Sequence, residues 1–348
     1  MRRPPFLGGA VLAPMHATGA FGCPFAFIPT AADRDSACSH HTHYVHRTEF
    51  TDALARCGDN RAMRSDRHFT LTIDCPDRVG IVAAVSQFIA ERGGWILESN
   101  HHADREHARF FMRNAILASS LAEGPEDFSR AFEPIARHFE MRWRLSDSAR
   151  PHRVALLVSR LDHCLVDLLY RWRSGELHCE IGCVISNHED LRPDVTFHGL
   201  PFHLVPVTPD TKAQAFGQIH ALLQAEAIDT VVLARYMQIL PSALCEAYPG
   251  RILNIHHSFL PSFVGARPYH RAFERGVKLI GATCHYVTAD LDEGPIIEQD
   301  VVRIEHDDTV DDLVRYGRDV EKAVLARALR YHLEDRVLLN GHRTVVFR

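Results

Sequence analysis

Lysine is nearly missing from this chain of 348 residues: it occurs only at Lys212, Lys278 and Lys322, and arginine carries almost all the positive charge. The arginines are scattered, and 39 basic against 44 acidic residues leave a net charge of −5, so a basic face for nucleic acid is excluded. Cysteine is sparse as well. Nine residues with no Cys-x-x-Cys pair exclude a disulfide framework and point to buried thiols in a reducing cytoplasm. No apolar run approaches the roughly 18 residues of a membrane span, and 46% hydrophobic with 24% charged residues excludes collagen-like and wholly disordered classes. What remains is a soluble globular protein with chain enough for about two domains.

Residues 1–62 lack any sustained period of 2 or 3.6. The twin Arg2-Arg3 is followed by prolines that break an export signal, and His40, His41, His43 and His46 read as a solvated cluster rather than a metal site. The segment is expected to be a disordered extension, or one arising from a start codon assigned upstream of Met63. From His68 the pattern sharpens. HFTLTID reads as a strand and VGIVAAVSQFIAER as a helix with Ile81/Val82, Val85 and Phe88/Ile89 on one face. Two strands, a second helix and a last strand follow, giving βαββαβ, and residues 146–152 form a linker. After Arg153 near-continuous apolar strands alternate with helices, which predicts a mostly parallel sheet covered on both faces. CEIGCVIS is one such strand, with Cys179 and Cys183 four apart and so expected on one side. The chain closes with a hairpin in which Asn340-Gly341 suits a type I′ turn.

Functional groups of such a sheet belong at the carboxyl ends of its strands. Asn254 and His256 lie two apart at a strand end, with breaks following at Pro261 and Gly265. An amide donor beside an imidazole suits stabilisation of oxygen charge in acyl transfer, although the pair could merely cap the strand. Asp292 follows in the next loop but one, where a carboxylate could orient the imidazole or deprotonate a water; Asp290 competes for that role. No His/Cys/Asp/Glu set has metal-ligand spacing, and His101, His102, Asp104 and His107 alternate faces on a hairpin.

These residues resemble the signature of tetrahydrofolate-dependent formyltransferases: Asn254-x-His256 with Ser258, Leu260 and Pro261, then His285-x-Val287-Thr288-x-x-Leu291-Asp292-x-Gly294-Pro295. The resemblance implies a catalytic triad of Asn254, His256 and Asp292, with Met237, Leu240, His285 and Thr288 at the folate pocket. CPDRVGIVAAVSQFIAERGG resembles the opening of an ACT domain, whose members often hold an amino-acid effector or a dimer interface near the positions of Asp77, Arg78 and Gly80; alternatively Gly80 only allows close helix packing. The implied architecture is α/β: an ACT-like regulatory domain over 66–146 and a Rossmann-like catalytic domain of the formyltransferase type over 152–348. That combination resembles the formyltetrahydrofolate deformylases. It implies hydrolysis of the folate substrate with no separate cofactor and no metal, supply of formate for one-carbon and purine metabolism, a homo-oligomer, and control by methionine or glycine. Formyl transfer to a small amine, or a non-catalytic amino-acid sensor, are the alternatives. Against a phosphorylated acceptor, the loop Val158-Ser159-Arg160-Leu161-Asp162-His163 lacks the glycines of a phosphate cradle, and Asp162 is expected to cap the following helix.

Overall fold

The first sheet is built from strands β1 (His68–Pro76), β2 (Ile96–Asp104), β3 (Arg109–Leu117), which is buried on both faces, and β4 (Arg142–Asp147). Their order is β2-β3-β1-β4, antiparallel throughout. The structure, a computed structural model, describes residues 67–260 and 268–348. Expectations for residues 1–62 and for the break at Pro261 and Gly265 lie outside these residues. Helices α1 (Ile81–Glu91) and α2 (Pro125–His138) pack on one face of the sheet, completing the βαββαβ order. Phe88 meets the rings of Phe128 and Phe132 edge-on at 5.1 and 5.2 Å. Val82 is exposed, contrary to expectation, because Ile81, Val85, Phe88 and Ile89 already complete the buried stripe.

The second sheet has seven strands: β5 (His152–Val158), β6 (Cys179–Ser186), β7 (Phe202–Leu204), β8 (Thr230–Leu233), β9 (Ile252–His256), β10 (Leu279–Tyr286) and β11 (Ile296–Arg303). The order is β11-β10-β9-β8-β5-β6-β7. The pairs from β9 through β7 are parallel, while β10 and β11 add antiparallel partners at one edge. One face packs against α3 (His163–Arg173), α4 (Arg192–Phe197) and α8 (Val310–Leu333), the other against α5 (Lys212–Ala225) and α6 (Ser242–Ala247). A further helix, α7 (Pro268–Arg275), sits against the start of α8 through Tyr269, Ala272 and Leu313.

Two local expectations need correction. Cys179 and Cys183 face opposite sides of the sheet, the first packing with the α3/α8 layer and the second with the α5 layer. The register jumps from Val154↔Ile181 to Ala155↔Cys183, so Gly182 is an unpaired bulge residue that reverses the alternation. A Cβ at Gly182 would meet Ile228 Cδ1 at 2.8 Å. The terminal hairpin, β12 (Val337–Asn340) and β13 (Arg343–Val346), pairs Asn340 with Arg343. Its loop is therefore Gly341-His342, and the left-handed φ of 60° falls on Gly341 alone. That is the type II′ pattern, not type I′.

The two sheets meet at this hairpin and at the end of α8. Phe111, on the face of β3 turned away from α1 and α2, clusters with Leu338 and Phe347. Beside it Arg113, only 3% exposed, donates from Nε and Nη2 to the carbonyl of Glu334 at 3.1 and 3.0 Å. Glu98 accepts from Arg113 at 2.9 Å and from both terminal nitrogens of Arg336 at 2.8 and 3.0 Å. Arg144 pairs with Asp335.

Candidate active site

Strand geometry sets out the first two groups. Leu253 and Ile255 of β9 point into the α3/α8 layer, so Asn254 and His256 face the other way together. The antiparallel register puts His285 of β10 opposite Asn254. Asn254 Nδ2 lies 3.2 Å from His285 Nε2, and His285 Nδ1 lies 2.9 Å from the carbonyl of Tyr286. A carbonyl can only accept, so Nδ1 carries the proton and, in the neutral ring, Nε2 accepts from the Asn254 amide. Asp292 closes the constellation. Its Oδ2 is 3.3 Å from His256 Nδ1 and its Oδ1 is 3.6 Å from His285 Nε2. His256 Nε2 is buried without a hydrogen-bond partner. His256, the stronger influence, and the nearby His285 ring outweigh burial and hold the Asp292 carboxyl well below the usual carboxylate range, so it is ionised at neutral pH.

The loop reaches this position by unusual backbone. Asp292 has φ 57°, a left-handed conformation that costs most residues energy and that Asp and Asn tolerate best. A Cβ at Gly294 would lie 1.7 Å from the Tyr286 carbonyl oxygen and 3.3 Å from His285 Nδ1, so only glycine lets the loop return close enough. Thr283 anchors the segment after β9 by donating to the Ser258 carbonyl at 2.9 Å and accepting from the Leu260 N–H at 3.0 Å.

These groups open onto a cavity of about 550 Å³ that is also lined by Met237, Leu240 and Thr288. Leu240 is buried, Met237 is exposed with its N–H donating to Ser159 Oγ at 3.0 Å, and the Thr288 hydroxyl donates to the Asp290 carbonyl at 3.2 Å. The carboxylate that meets His256 is Asp292; Asp290 is exposed on the cavity rim. The arrangement offers a cleft with an amide, an imidazole with a free nitrogen and an ionised carboxylate, a set suited to acyl transfer without a covalent intermediate.

Comparison with known proteins agrees with this chemistry. A formyl transferase family model matches residues 152–329. The formyltetrahydrofolate deformylase of Synechocystis is 50% identical over 279 residues, spanning 80% of this chain and 98% of that relative. The chain belongs to the formyltetrahydrofolate deformylase family. The crystal structure of a formyltetrahydrofolate deformylase from Pseudomonas syringae superposes with a TM-score of 0.81 at 56% identity, covering 85% of this chain and 100% of that one. A glycinamide ribonucleotide transformylase from Symbiobacterium toebii superposes with a TM-score of 0.55 at 32% identity, covering 59% and 98%. The deformylase family thus shares its α/β sheet of the formyltransferase type with enzymes named for an amine substrate.

Other expectations fare differently. Asp162 stands at the N-cap of α3, but its backbone is helical (φ −92°, ψ −29°), its carboxylate is exposed, and it makes no capping hydrogen bond. A helical backbone there keeps the side chain from arching back to the free N–H groups, so the expected cap is absent. The loop before it is tied instead by Ser159, whose hydroxyl donates to Asn187 Oδ1 at 2.7 Å. Asp77, Arg78 and Gly80 are exposed and line neither this cavity nor the smaller one beside Phe69. Arg78 binds the His138 carbonyl at 3.3 Å and the Glu140 carboxylate, and Asp77 N–H donates to Ala108 at 2.9 Å. Gly80 is required by its φ of 96°, not by close packing, since an added Cβ would find only Phe139 Cζ at 3.9 Å.

Sequence spacing also missed one buried cluster, in which His163, Arg235 and Tyr269 surround Glu321 on the cavity wall. Two groups of possible metal donors come together among the described residues, His163-Cys164-Glu321 and Asp104-Glu106-His107. In the first, burial pushes the Cys164 thiol well above its usual range, so no thiolate is on hand. In the second, Asp104 ends β2 and is already engaged, accepting from His107 Nδ1 at 2.8 Å and from Asn340 at 2.7 Å.

Proposed function

We propose that the protein hydrolyses 10-formyltetrahydrofolate to formate and tetrahydrofolate, with 10-formyltetrahydrofolate as substrate and no separate cofactor. The observation that carries the reading is the contact of ionised Asp292 with His256 at 3.3 Å, beside Asn254, on a cavity lined by Met237, Leu240 and Thr288. In this mechanism water attacks the formyl carbon while the Asn254 amide and His256 Nε2–H stabilise the oxygen that gains charge. Asp292 orients the water, takes its proton and sustains the imidazolium. His285 holds the Asn254 amide through Nε2. The folate ring would enter past Met237 and Leu240, with Thr288 shaping the rim. The test is purified protein with 10-formyltetrahydrofolate and no acceptor amine: formate release supports hydrolysis, and turnover only when an amine is added means transfer.

The same reading assigns residues 66–146 to an ACT-like regulatory domain and 152–348 to the catalytic domain. Support comes from the βαββαβ order and from the family match over 152–329. An ACT-like unit has no chemistry of its own, so control by methionine or glycine near Asp77, Arg78 and Gly80 in a cytoplasmic homo-oligomer is its proposed role, matching formate release to one-carbon and purine demand. Millimolar methionine or glycine should then change turnover about 5- to 150-fold. Rates indifferent to both amino acids reduce this unit to a structural part. Residues 1–62 have no role in the scheme, and protein beginning at Met63 should keep its activity.

A further inference from the structure

The cavity wall holds a cation that the hydrolysis above does not use. Arg235, in the segment after β8, lines the cavity and is only 9% exposed. Its backbone takes a left-handed φ of 65°, where arginine is disfavoured, and such an outlier in a cavity wall marks a functional constraint. Its Nε is closed off from solvent and lies 3.4 Å from Glu321 Oε2 without a hydrogen bond. The two terminal nitrogens have no hydrogen-bond partner among the described residues, and neither is closed off as Nε is. The planar fork that suits a carboxylate is thus uncommitted. Glu321 steadies the inner side of the guanidinium without using that fork. Its Oε1 accepts from the Tyr269 hydroxyl at 2.6 Å and its Oε2 from His163 Nε2 at 2.8 Å. Gly317, four residues earlier on α8, leaves room for that hydroxyl, since a Cβ there would lie 2.1 Å from its oxygen.

The His257 ring ties this group to the triad. It lies 5.2 Å from the His256 ring and 6.3 Å from the Tyr269 ring, centre to centre, and it feels the charges of both Arg235 and Asp292. The two charges are therefore within electrostatic reach of one ring on the same cavity. Hydrolysis creates an anion there. Formate is a planar carboxylate, ionised at neutral pH, and it forms beside Asp292, whose own charge repels it. Three carboxylates line the cavity, Asp290, Asp292 and Glu321, against two guanidiniums, Arg235 and Arg318. Asp292 faces His256 and His285, Glu321 faces His163, Tyr269 and Arg235, and Asp290 and Arg318 are exposed on the rim. Arg235 is thus the buried cation of the wall with donors to spare. We propose that Arg235 is a product subsite, its two terminal nitrogens taking the formate released at Asn254, His256 and Asp292. This rests on the hydrolase reading above, which supplies the formate.

The experiment measures binding of sodium formate to full-length protein without folate, by saturation transfer to the formate proton, so the readout does not depend on turnover. The unsubstituted protein should bind formate in the millimolar range. Arg235→Gln should weaken binding at least about tenfold, and Arg235→Lys, which keeps the charge but not the fork, should fall between the two. Glu321→Gln removes a competing negative charge while leaving the guanidinium, so it should tighten binding about twofold or more. A cluster with only a structural role would give no such gain, and this variant keeps the test open if the arginine variants fold poorly. No detectable formate binding to the unsubstituted protein, affinity unchanged in folded Arg235→Gln, or affinity not raised in folded Glu321→Gln each overturns the proposal. A higher KM for 10-formyltetrahydrofolate in Arg235→Gln with formate affinity unchanged also overturns it, and gives the fork to the carboxylates of the folate tail. No formate release by the unsubstituted protein in the acceptor-free assay overturns the hydrolase reading, and the product role with it, whatever the binding measurement gives.

Discussion

At the scale of single residues, the left-handed backbone at Asp292 makes one substitution unusually clean. Asparagine tolerates that conformation as well as aspartate does, so Asp292→Asn keeps the loop while removing the ability to take a proton. We expect kcat to fall at least about 100-fold with little change in melting temperature, in line with loss of a general base. Turnover within a few-fold of the parent would instead hand the role to Asp290. Asn254→Ala should cost roughly 100- to 1,000-fold in kcat, the scale for one oxyanion donor. If it raises only KM, the amide binds substrate and does not stabilise charge. Gly294→Ala tests the loop itself: a methyl placed 1.7 Å from the Tyr286 carbonyl must push Asp292 away from His256. Activity should be lost, and a crystal structure of the variant should show the His256–Asp292 contact lengthened.

At the scale of elements, α8 carries a conflict that can be measured. Gly317→Ala improves helix propensity by about 1 kcal/mol and would normally stabilise. Here it should destabilise in urea titration, because the Tyr269 ring must move and its hydroxyl leaves Glu321. A more stable variant would show that Tyr269 relaxes freely. The same helix shows what was legible in the sequence. The strands of both sheets could be read from their apolar runs, and Asn254 and His256 shared a face because they are two apart on an unbulged strand. Asp292 was found because functional loops follow strand ends. The Glu321 cluster was not found, since its four residues come from four separate segments with no common spacing. One signal was present: Leu313, Gly317, Glu321, Val324 and Ala328 form the buried stripe of α8, and a carboxylate on such a stripe demands partners. The side reversal at Cys183 escaped because Gly182 looked like an ordinary strand glycine, and a bulge depends on the neighbouring strand as much as on its own.

At the scale of the whole molecule, buried histidines set the response to acid. Burial, reinforced by His152 and nearby arginines, lowers His332 to about 3; burial, with Arg235, lowers His257 to about 4. Both are neutral in the folded protein while the unfolded chain takes up protons below about 6.5, so stability falls as the pH drops through that window. At pH 5 the loss should be about 2 kcal/mol for each histidine. Glu98 acts later: burial raises its carboxyl, but Arg336, Arg113 and Asn100 outweigh that and lower it to about 2, so its contribution is complete above about 4.5 and fades towards about 2. A melting temperature that stays flat from pH 7 to 5 would falsify the histidine account, and His332→Gln should flatten part of the slope. Glu98 belongs to the joint in which Arg113 holds the Glu334 carbonyl and Phe111 packs on Leu338 and Phe347. Those contacts join segments more than 200 residues apart in the chain. The covalent link between β4 and β5 is therefore redundant for holding the two sheets together. A protease that nicks the exposed Ala149–Arg150 bond should leave both fragments eluting as one species, and the two halves expressed as separate polypeptides should find each other and restore activity in trans.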